Sequence, residues 1–256
     1  MPSTHQPGTD PQSTTDAIAL MTAHRSIRRF ESAPIPSEHI EQAVRCGQSA
    51  STSSSVQAYA CIHVTDQAKL DTLAELAGPQ EKVKRCGAFF VLCADTRRHR
   101  LLCARADQPY ANTFENLLVA IADVSLFAQN MALALESLSY GVCYIGGIRN
   151  DLPRVIDTLN LPEGVFPVFG LCAGVPAESP TTRPRLDPDA VLFENTYPDD
   201  ESLLAGVDRY DAVYREYLRA RATEPTAWSD AMVKRNTSPT REDVANVYLA
   251  QGARLA

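Results

Sequence analysis

No dinucleotide-binding GxGxxG, no phosphate-loop GxxxxGK[ST], no HExxH and no GxSxG occurs in the 256 residues. The enzyme classes that those signatures report lose most of their support. Basic residues are in deficit: 24 Lys+Arg stand against 31 Asp+Glu, a formal charge of −7. A general nucleic-acid or membrane-surface binder shows the opposite balance, so neither partner is expected. No run approaches the roughly 18 apolar residues of a membrane span, and the polar start lacks a signal-peptide apolar region. Disulfide and metal frameworks are also missing. The seven cysteines (Cys46, Cys61, Cys86, Cys93, Cys103, Cys143, Cys172) include no CxxC, and the five histidines are scattered. Several cysteines lie in apolar runs such as Phe89-Phe90-Val91-Leu92-Cys93, where they read as small buried hydrophobes. Such thiols point to a reducing, cytoplasmic compartment.

What the chain does have is length enough for the core of one domain, alternating helices and strands, and hydroxyls, glycines and arginines gathered in a few short stretches. Residues 1–14, rich in Pro, Ser, Thr and Gly, read as a disordered tail, and 15–256 as one domain. A helix is expected from Thr15 toward Ala23. After Pro34 and Pro36, Ser37 is expected to cap a helix through Ala43 and Val44. Tyr59–Thr65 reads as a strand, and Asp66 as the cap of a helix stopped by Gly78. Ala88–Ala94 is apolar throughout and predicts a strand buried on both faces. Arg97-Arg98-His99-Arg100 predicts a solvated turn. The longest helix is expected from Thr113 to Tyr140, ended by Gly141. It is apolar on more than one face and therefore a candidate subunit contact. Strands follow at Val142–Ile145 and Val165–Cys172, then a helix at 201–221. Thr240 and Asp243 predict a capping-box start for the last one.

Two stretches carry candidate chemistry. His24-Arg25-Ser26-Ile27-Arg28-Arg29-Phe30 places three guanidinium forks between apolar anchors. Held near a core, it would be a receptor for a small anion; otherwise it is a solvated helix end. Ser49-Ala50-Ser51-Thr52-Ser53-Ser54-Ser55 is either a linker or, wedged between a helix and a core strand, a binding loop. Gly146-Gly147 after a strand permits close backbone approach to a flat or phosphorylated ligand, and Arg183-Pro184-Arg185 fixes two more arginines in a loop. These materials suit a planar, phosphorylated cofactor that performs the difficult chemistry itself.

The basic stretch, the serine run ending in Val56-Gln57, Gly78-Pro79-Gln80, Tyr144-Ile145-Gly146-Gly147-Ile148-Arg149-Asn150, Phe169-Gly170-Leu171-Cys172, Arg183-Pro184-Arg185-Leu186 and Trp228-Ser229-Asp230 occur in that order. So arranged, the chain resembles the nitroreductase-like flavoproteins, closest to the oxygen-insensitive NADPH nitroreductase and flavin reductase branch. The resemblance implies an α+β fold, with a central, mostly antiparallel sheet flanked by helices, and a homodimer. It also implies FMN as cofactor, NADPH as transient reductant, and ping-pong transfer to small-molecule acceptors: nitroaromatics, quinones or free flavin. On the matching positions it implies FMN contacts from His24, Arg25, Ser26 and Arg28, and from Ser51, Thr52, Ser53 and Ser54 of the partner subunit. It implies further contacts from Gln80, Tyr144, Ile145, Gly146, Gly147, Arg183 and Arg185. No side chain acts as a catalytic acid or base; a backbone N–H at Gly146 or Gly147 would face the flavin N5. Ser55 and Arg241 would border the substrate. Ser55 stands where close relatives carry phenylalanine, Arg183 where they carry lysine, and 219–227 is shorter than in relatives, which leaves NADPH against NADH open. Other flavin chemistry on the same fold, or non-catalytic binding of a phosphorylated ligand, are the competing readings.

Overall fold

The computed structural model describes residues 16–254, so the expected tail at 1–14 lies outside the described residues. The described residues fall into two compact units, one of 16–180 with 243–254 and one of Thr181–Glu242.

The first unit opens with α1 (Asp16–Thr22) and α2 (Ser37–Gln48). Ser37 does not cap α2: Pro36 holds the cap position with extended backbone, leaving Ser37 inside the first turn. Then come β1 (Tyr59–Val64), α3 (Gln67–Leu76), α4 (Glu81–Arg85) and β2 (Ala88–Asp95). Asp66 caps α3 as expected, accepting the Lys69 N–H at 3.0 Å, and Gly78 takes a φ of +88° beyond its end. All of β2 is buried. Its alternate side chains Phe90, Leu92 and Ala94 join one hydrophobic cluster, and Phe89, Val91 and Cys93 join the other. A period of two therefore sends one apolar run into two cores, which is why the strand reads as continuous rather than alternating.

Where a solvated turn was expected, Arg97–Arg105 forms a helix, α5. The buried Asp95 at the end of β2 explains the difference. Its carboxylate accepts the N–H of Arg97 at 2.9 Å and pairs with the Arg98 guanidinium at 3.1 Å. An acid at the positive end of a helix satisfies orphan donors and offsets the basic first turn. Farther along, Arg100 reaches Glu163, Asn112 and the Gly252 carbonyl and stacks on Tyr110.

The long helix α6 runs over Phe114–Ser137, capped by the Thr113 hydroxyl. It stops before Gly141, through a left-handed Ser139 with φ 67°, and Gly141 opens the next strand. By length and hydropathy α6 is apolar enough to cross a membrane, which the sequence reading did not anticipate. Its buried stripe, including Ala120, Val124, Phe127 and Met131, is instead packed into the first core cluster. β3 (Gly141–Ile145), a 3₁₀ segment at Gly146–Asn150, α7 (Leu152–Leu159) and β4 (Val165–Gly174) follow. The sheet is antiparallel throughout, in the order β1-β2-β4-β3. A bulge skips Val168 where Pro167, which has no N–H to give a ladder, faces Cys93 beyond the end of β3. Helices α2 and α6 share the cluster on one face, and residues of α3 and α7 line the other.

The second unit contains α8 (Asp200–Ala220) and α9 (Trp228–Asn236). Asp211, buried on α8, accepts the Ser229 N–H at 2.9 Å and also the Ser229 hydroxyl, capping α9 where Ala227 cannot. Burial alone would raise its carboxyl, but the Ser229 bonds and the Arg215 charge outweigh this and hold it below the usual range. Such a group stabilises the fold above the unfolded value near pH 4 and loses that effect as pH falls through its folded value. Asp211→Asn is expected to cost about 1–3 kcal/mol at neutral pH. In urea unfolding, the gap from wild type should close below about pH 4; a gap constant to pH 2 would exclude an ionised cap. The last helix, α10 (Val244–Ala250), belongs to the first unit. The expected capping box does not form: Asp243 already has helical backbone, with φ −84° and ψ −8°, and makes no side-chain cap.

Candidate functional site

The basic stretch is stitched into the sheet. Ile27, only 3% exposed, donates its N–H to Val142 of β3 at 2.9 Å, and Glu31 donates to Val175 at 2.9 Å. Ile27 also occupies the space that a side chain on Gly141 would fill. The arginines are therefore mounted on an anchored backbone, with their side chains exposed. Glu178, which the sequence reading missed, then divides them. It accepts the backbone N–H groups of Arg28 and Arg29, at 2.5 and 3.1 Å, and pairs with the Arg29 guanidinium at 3.1 Å. Burial works to raise the Glu178 carboxyl, but these donors prevail and lower it. The Arg28 guanidinium reaches only the Ser26 carbonyl, at 3.4 Å, and forms no ion pair within 4 Å among the described residues. Arg25 likewise touches only a carbonyl, that of Ala23.

His24 is fixed differently. Its Nδ1 lies 2.7 Å from Glu136 Oε1 near the end of α6, at a cavity of about 200 Å³ that Arg25, Tyr140 and Glu178 also line. An imidazole bonded to a carboxylate through Nδ1 presents Nε2 outward. The second Glu136 oxygen is buried without a protein partner.

At the end of β3 an open concavity of about 390 Å³ is lined by Ser125, Gln129, Tyr144, Gly146, Arg149 and Phe169. Tyr144 stands edge-on to Phe169 at 5.2 Å. Burial, with the Glu136 charge behind it, pushes the Tyr144 phenol well up, so it stays protonated at neutral pH. The Ile145 side chain belongs to the second core cluster, which leaves only its backbone for a ligand. Gly147 is buried, and a Cβ there would lie 2.2 Å from the Ala77 carbonyl oxygen and 2.8 Å from Gln80 Nε2. The structure thus brings Gln80 and Gly147 together, with the Gln80 amide nitrogen committed to the Ala77 carbonyl at 2.6 Å. Burial raises the Cys143 thiol beside Tyr144, while the charges of Arg28 and Lys82 act to lower it.

The hydroxyl run is a compact loop with a 3₁₀ turn at Ser53–Ser55. Ser54, Ser55 and Gln57 all have left-handed backbone, with φ of 48°, 58° and 52°. The Thr52 hydroxyl accepts the Gln57 N–H at 3.3 Å, and the hydroxyls of Ser51, Ser53, Ser54 and Ser55 have no protein partner among the described residues.

In the second unit the tyrosine face of α8 holds the arginine loop. Tyr210 donates to the Pro184 carbonyl at 2.9 Å, and the Arg183 guanidinium sits 6.0 Å from the Tyr214 ring centre. Burial raises the Tyr217 phenol, but bonding to Arg183 and the charges of Arg221 and Arg183 bring it below its ordinary value. Arg185 folds back onto the carbonyls of Arg183 and Pro184. Arg241 takes a left-handed φ of 58°.

The sequence profile of the Nitroreductase family matches residues 21–175, and that of the Nitroreductase family, C-terminal domain, matches 183–256. An FMN reductase (NADPH) from Bacillus subtilis is 40% identical over 224 residues, which cover 85% of this chain and 90% of that one. An oxygen-insensitive NADPH nitroreductase from Salmonella typhimurium is 41% identical over 216 residues, 83% of this chain and 88% of the relative. Among solved structures, the NADPH:FMN oxidoreductase from Vibrio harveyi complexed with NAD+ superposes with a TM-score of 0.87 at 32% identity. That match covers 94% of this chain and all of the other. With the two profiles together matching most of the chain and the antiparallel sheet in place, this protein belongs to the nitroreductase family.

Proposed function

We propose that this chain is an FMN-dependent NAD(P)H oxidoreductase that passes reducing equivalents in a ping-pong cycle to nitroaromatics, quinones or free flavin. The observation that carries the reading is the division of the basic stretch: Glu178 absorbs Arg29 and two backbone donors, and the exposed Arg28 guanidinium, on an anchored backbone, has no carboxylate within 4 Å among the described residues. A guanidinium without a paired carboxylate is a phosphate ligand in waiting. The residues present fit FMN. His24, Arg25, Ser26 and Arg28 supply donors for the phosphate and ribityl chain. The exposed hydroxyls of Ser51, Ser53 and Ser54, with the half-buried one of Thr52, supply more. Gln80 retains a side-chain carbonyl for the ring or ribityl edge. Tyr144, Gly146 and the backbones of Ile145 and Gly147 form a wall that a flat ring can approach. Arg183 and Arg185 are assigned to the phosphate, and Ser55 and Arg241 to the acceptor, on the family resemblance. Bound FMN supplies the hydride chemistry, with NADPH as transient reductant, so no acid–base side chain is required.

A homodimer belongs to the same proposal. His24 is tied to Glu136, whereas the hydroxyl loop is tied to Asp123 of the same helix. Thirteen residues of α6 rise roughly 20 Å, a separation that supports completing each site with a second copy. Phe114, Leu118 and Leu126 are exposed on α6 and offer apolar surface for it. Seven unpaired thiols support a cytoplasmic location.

The purified protein is expected to carry yellow flavin that bleaches anaerobically with NADPH and recovers with a quinone, and to sediment as a dimer. Bound flavin that NADPH cannot reduce would instead favour other flavin chemistry. A colourless protein unable to take up FMN would leave only phosphate-ligand binding.

A further inference from the structure

Asp123 stands out in an otherwise apolar stretch of α6. It is 1% exposed, and no cation pairs with it within 4 Å among the described residues. Its two oxygens are used separately: Oδ1 accepts the Ser53 N–H and Oδ2 the Ala58 N–H, each at 3.0 Å. These donors sit at the two ends of the tightest part of the hydroxyl loop, and between them lie the left-handed Ser54, Ser55 and Gln57. Residues without a glycine's freedom hold such backbone only when their surroundings over-determine it. Within the loop the Val56 N–H bonds the Ser53 carbonyl at 2.8 Å and the Tyr59 N–H the Gln57 carbonyl at 2.9 Å, and β2 holds the Ala58 carbonyl through the Asp95 N–H at 2.9 Å. Thr52 takes the Gln57 N–H, His99 bonds the Val56 carbonyl at 2.9 Å, and Tyr59 stacks on Phe127, one turn along α6 from Asp123. The N–H groups of Ser53 and Ala58 are left to Asp123. A buried carboxylate is costly unless its lone pairs are filled, and only the closed loop provides both donors.

We propose that Asp123 is the positioning residue of the cofactor site: its carboxylate clamps Ser53 to Ala58 and thereby sets the hydroxyl loop in the shape that meets FMN. This rests on the flavin reading above, because it assigns the loop's ligand, but the clamp itself is a separate physical statement. Asparagine at this position can accept from one N–H only, and its own N–H₂ faces the other donor. The loop would then relax, and its hydroxyls would leave the ligand while α6 stays in place.

The test is an FMN titration of the unloaded protein, followed by flavin fluorescence, for wild type, Asp123→Asn, Ser54→Ala and the double variant. Asp123→Asn is expected to weaken FMN binding by roughly tenfold or more. If it acts through the loop, removing the Ser54 hydroxyl in that background costs little further, whereas it weakens binding in the wild-type background. Such non-additivity would not arise from a general loss of stability. Equal affinity of wild type and Asp123→Asn, or single effects that simply multiply, would overturn the clamp. A wild type that takes up no FMN would overturn the flavin reading instead. Should Asp123→Asn fail to fold, amide hydrogen exchange of the wild type decides the matter. Ser53 and Ala58 are expected to exchange slowly beside fast-exchanging Ser54 and Ser55, and free-loop rates at both would overturn the proposal.

Discussion

Gly147→Ala is expected to lower stability by about 3 kcal/mol, the upper part of the usual range for overpacking a buried site. The penalty is one of contact rather than conformation, since Gly147 does not occupy the left-handed region. Its missing Cβ would fall 2.2 Å from the Ala77 carbonyl oxygen, a backbone atom at the end of α3 that cannot swing aside like a flexible side chain. The strand-to-helix turn and α3 must therefore separate, and Gln80, whose amide is bonded to that carbonyl, moves with them. Thermal unfolding should report a fall of roughly 6–12 °C for a chain of this size. FMN affinity should drop with it, because the turn and Gln80 form one wall of the proposed site. An unchanged midpoint would show that the two backbones are not in close approach.

Arg28→Ala is expected to weaken FMN binding by about ten- to a hundredfold, the worth of one charge-assisted phosphate contact. Thermal stability of the unloaded protein should hardly change, because the guanidinium is exposed and its single bond is a long one to Ser26. Loss of affinity without loss of stability separates a ligand-binding arginine from a structural one. Arg28→Lys should recover part of the affinity, having the charge but not the planar fork. An apo titration indistinguishable from wild type would remove Arg28 from the site.

How much of this was legible in the sequence depends on whether the signal was local. The continuous apolar run of β2 and the Asp66 cap each announce themselves within a few residues, and they were read correctly. So was the fold, an antiparallel sheet between helices. The helix α5 was hidden because Asp95, the acid that takes its first-turn N–H groups, lies within the preceding strand, so the arginines after it looked like a solvated turn. The Thr240–Asp243 box misled because Arg241 turns left-handed between them, which the residue types do not reveal. The acids that organise the site left no trace of their purpose. Asp123, Glu136 and Glu178 act on partners 70, 112 and about 150 positions away. A lone carboxylate in an apolar helix carries no mark of the donor that will find it.

The placement of β2 between β1 and β4 has a consequence for synthesis. Seventy residues separate Asp95 from Val165, so the strand leaves the ribosome long before its second neighbour exists. At elongation speeds of about 5–20 residues per second that interval lasts roughly 4–14 s, during which an eight-residue greasy ribbon has one side unzipped. Nascent chains in that condition invite chaperone capture or mispairing with one another. The same apolar run that is wholly buried in the finished protein is left open in the unfinished one.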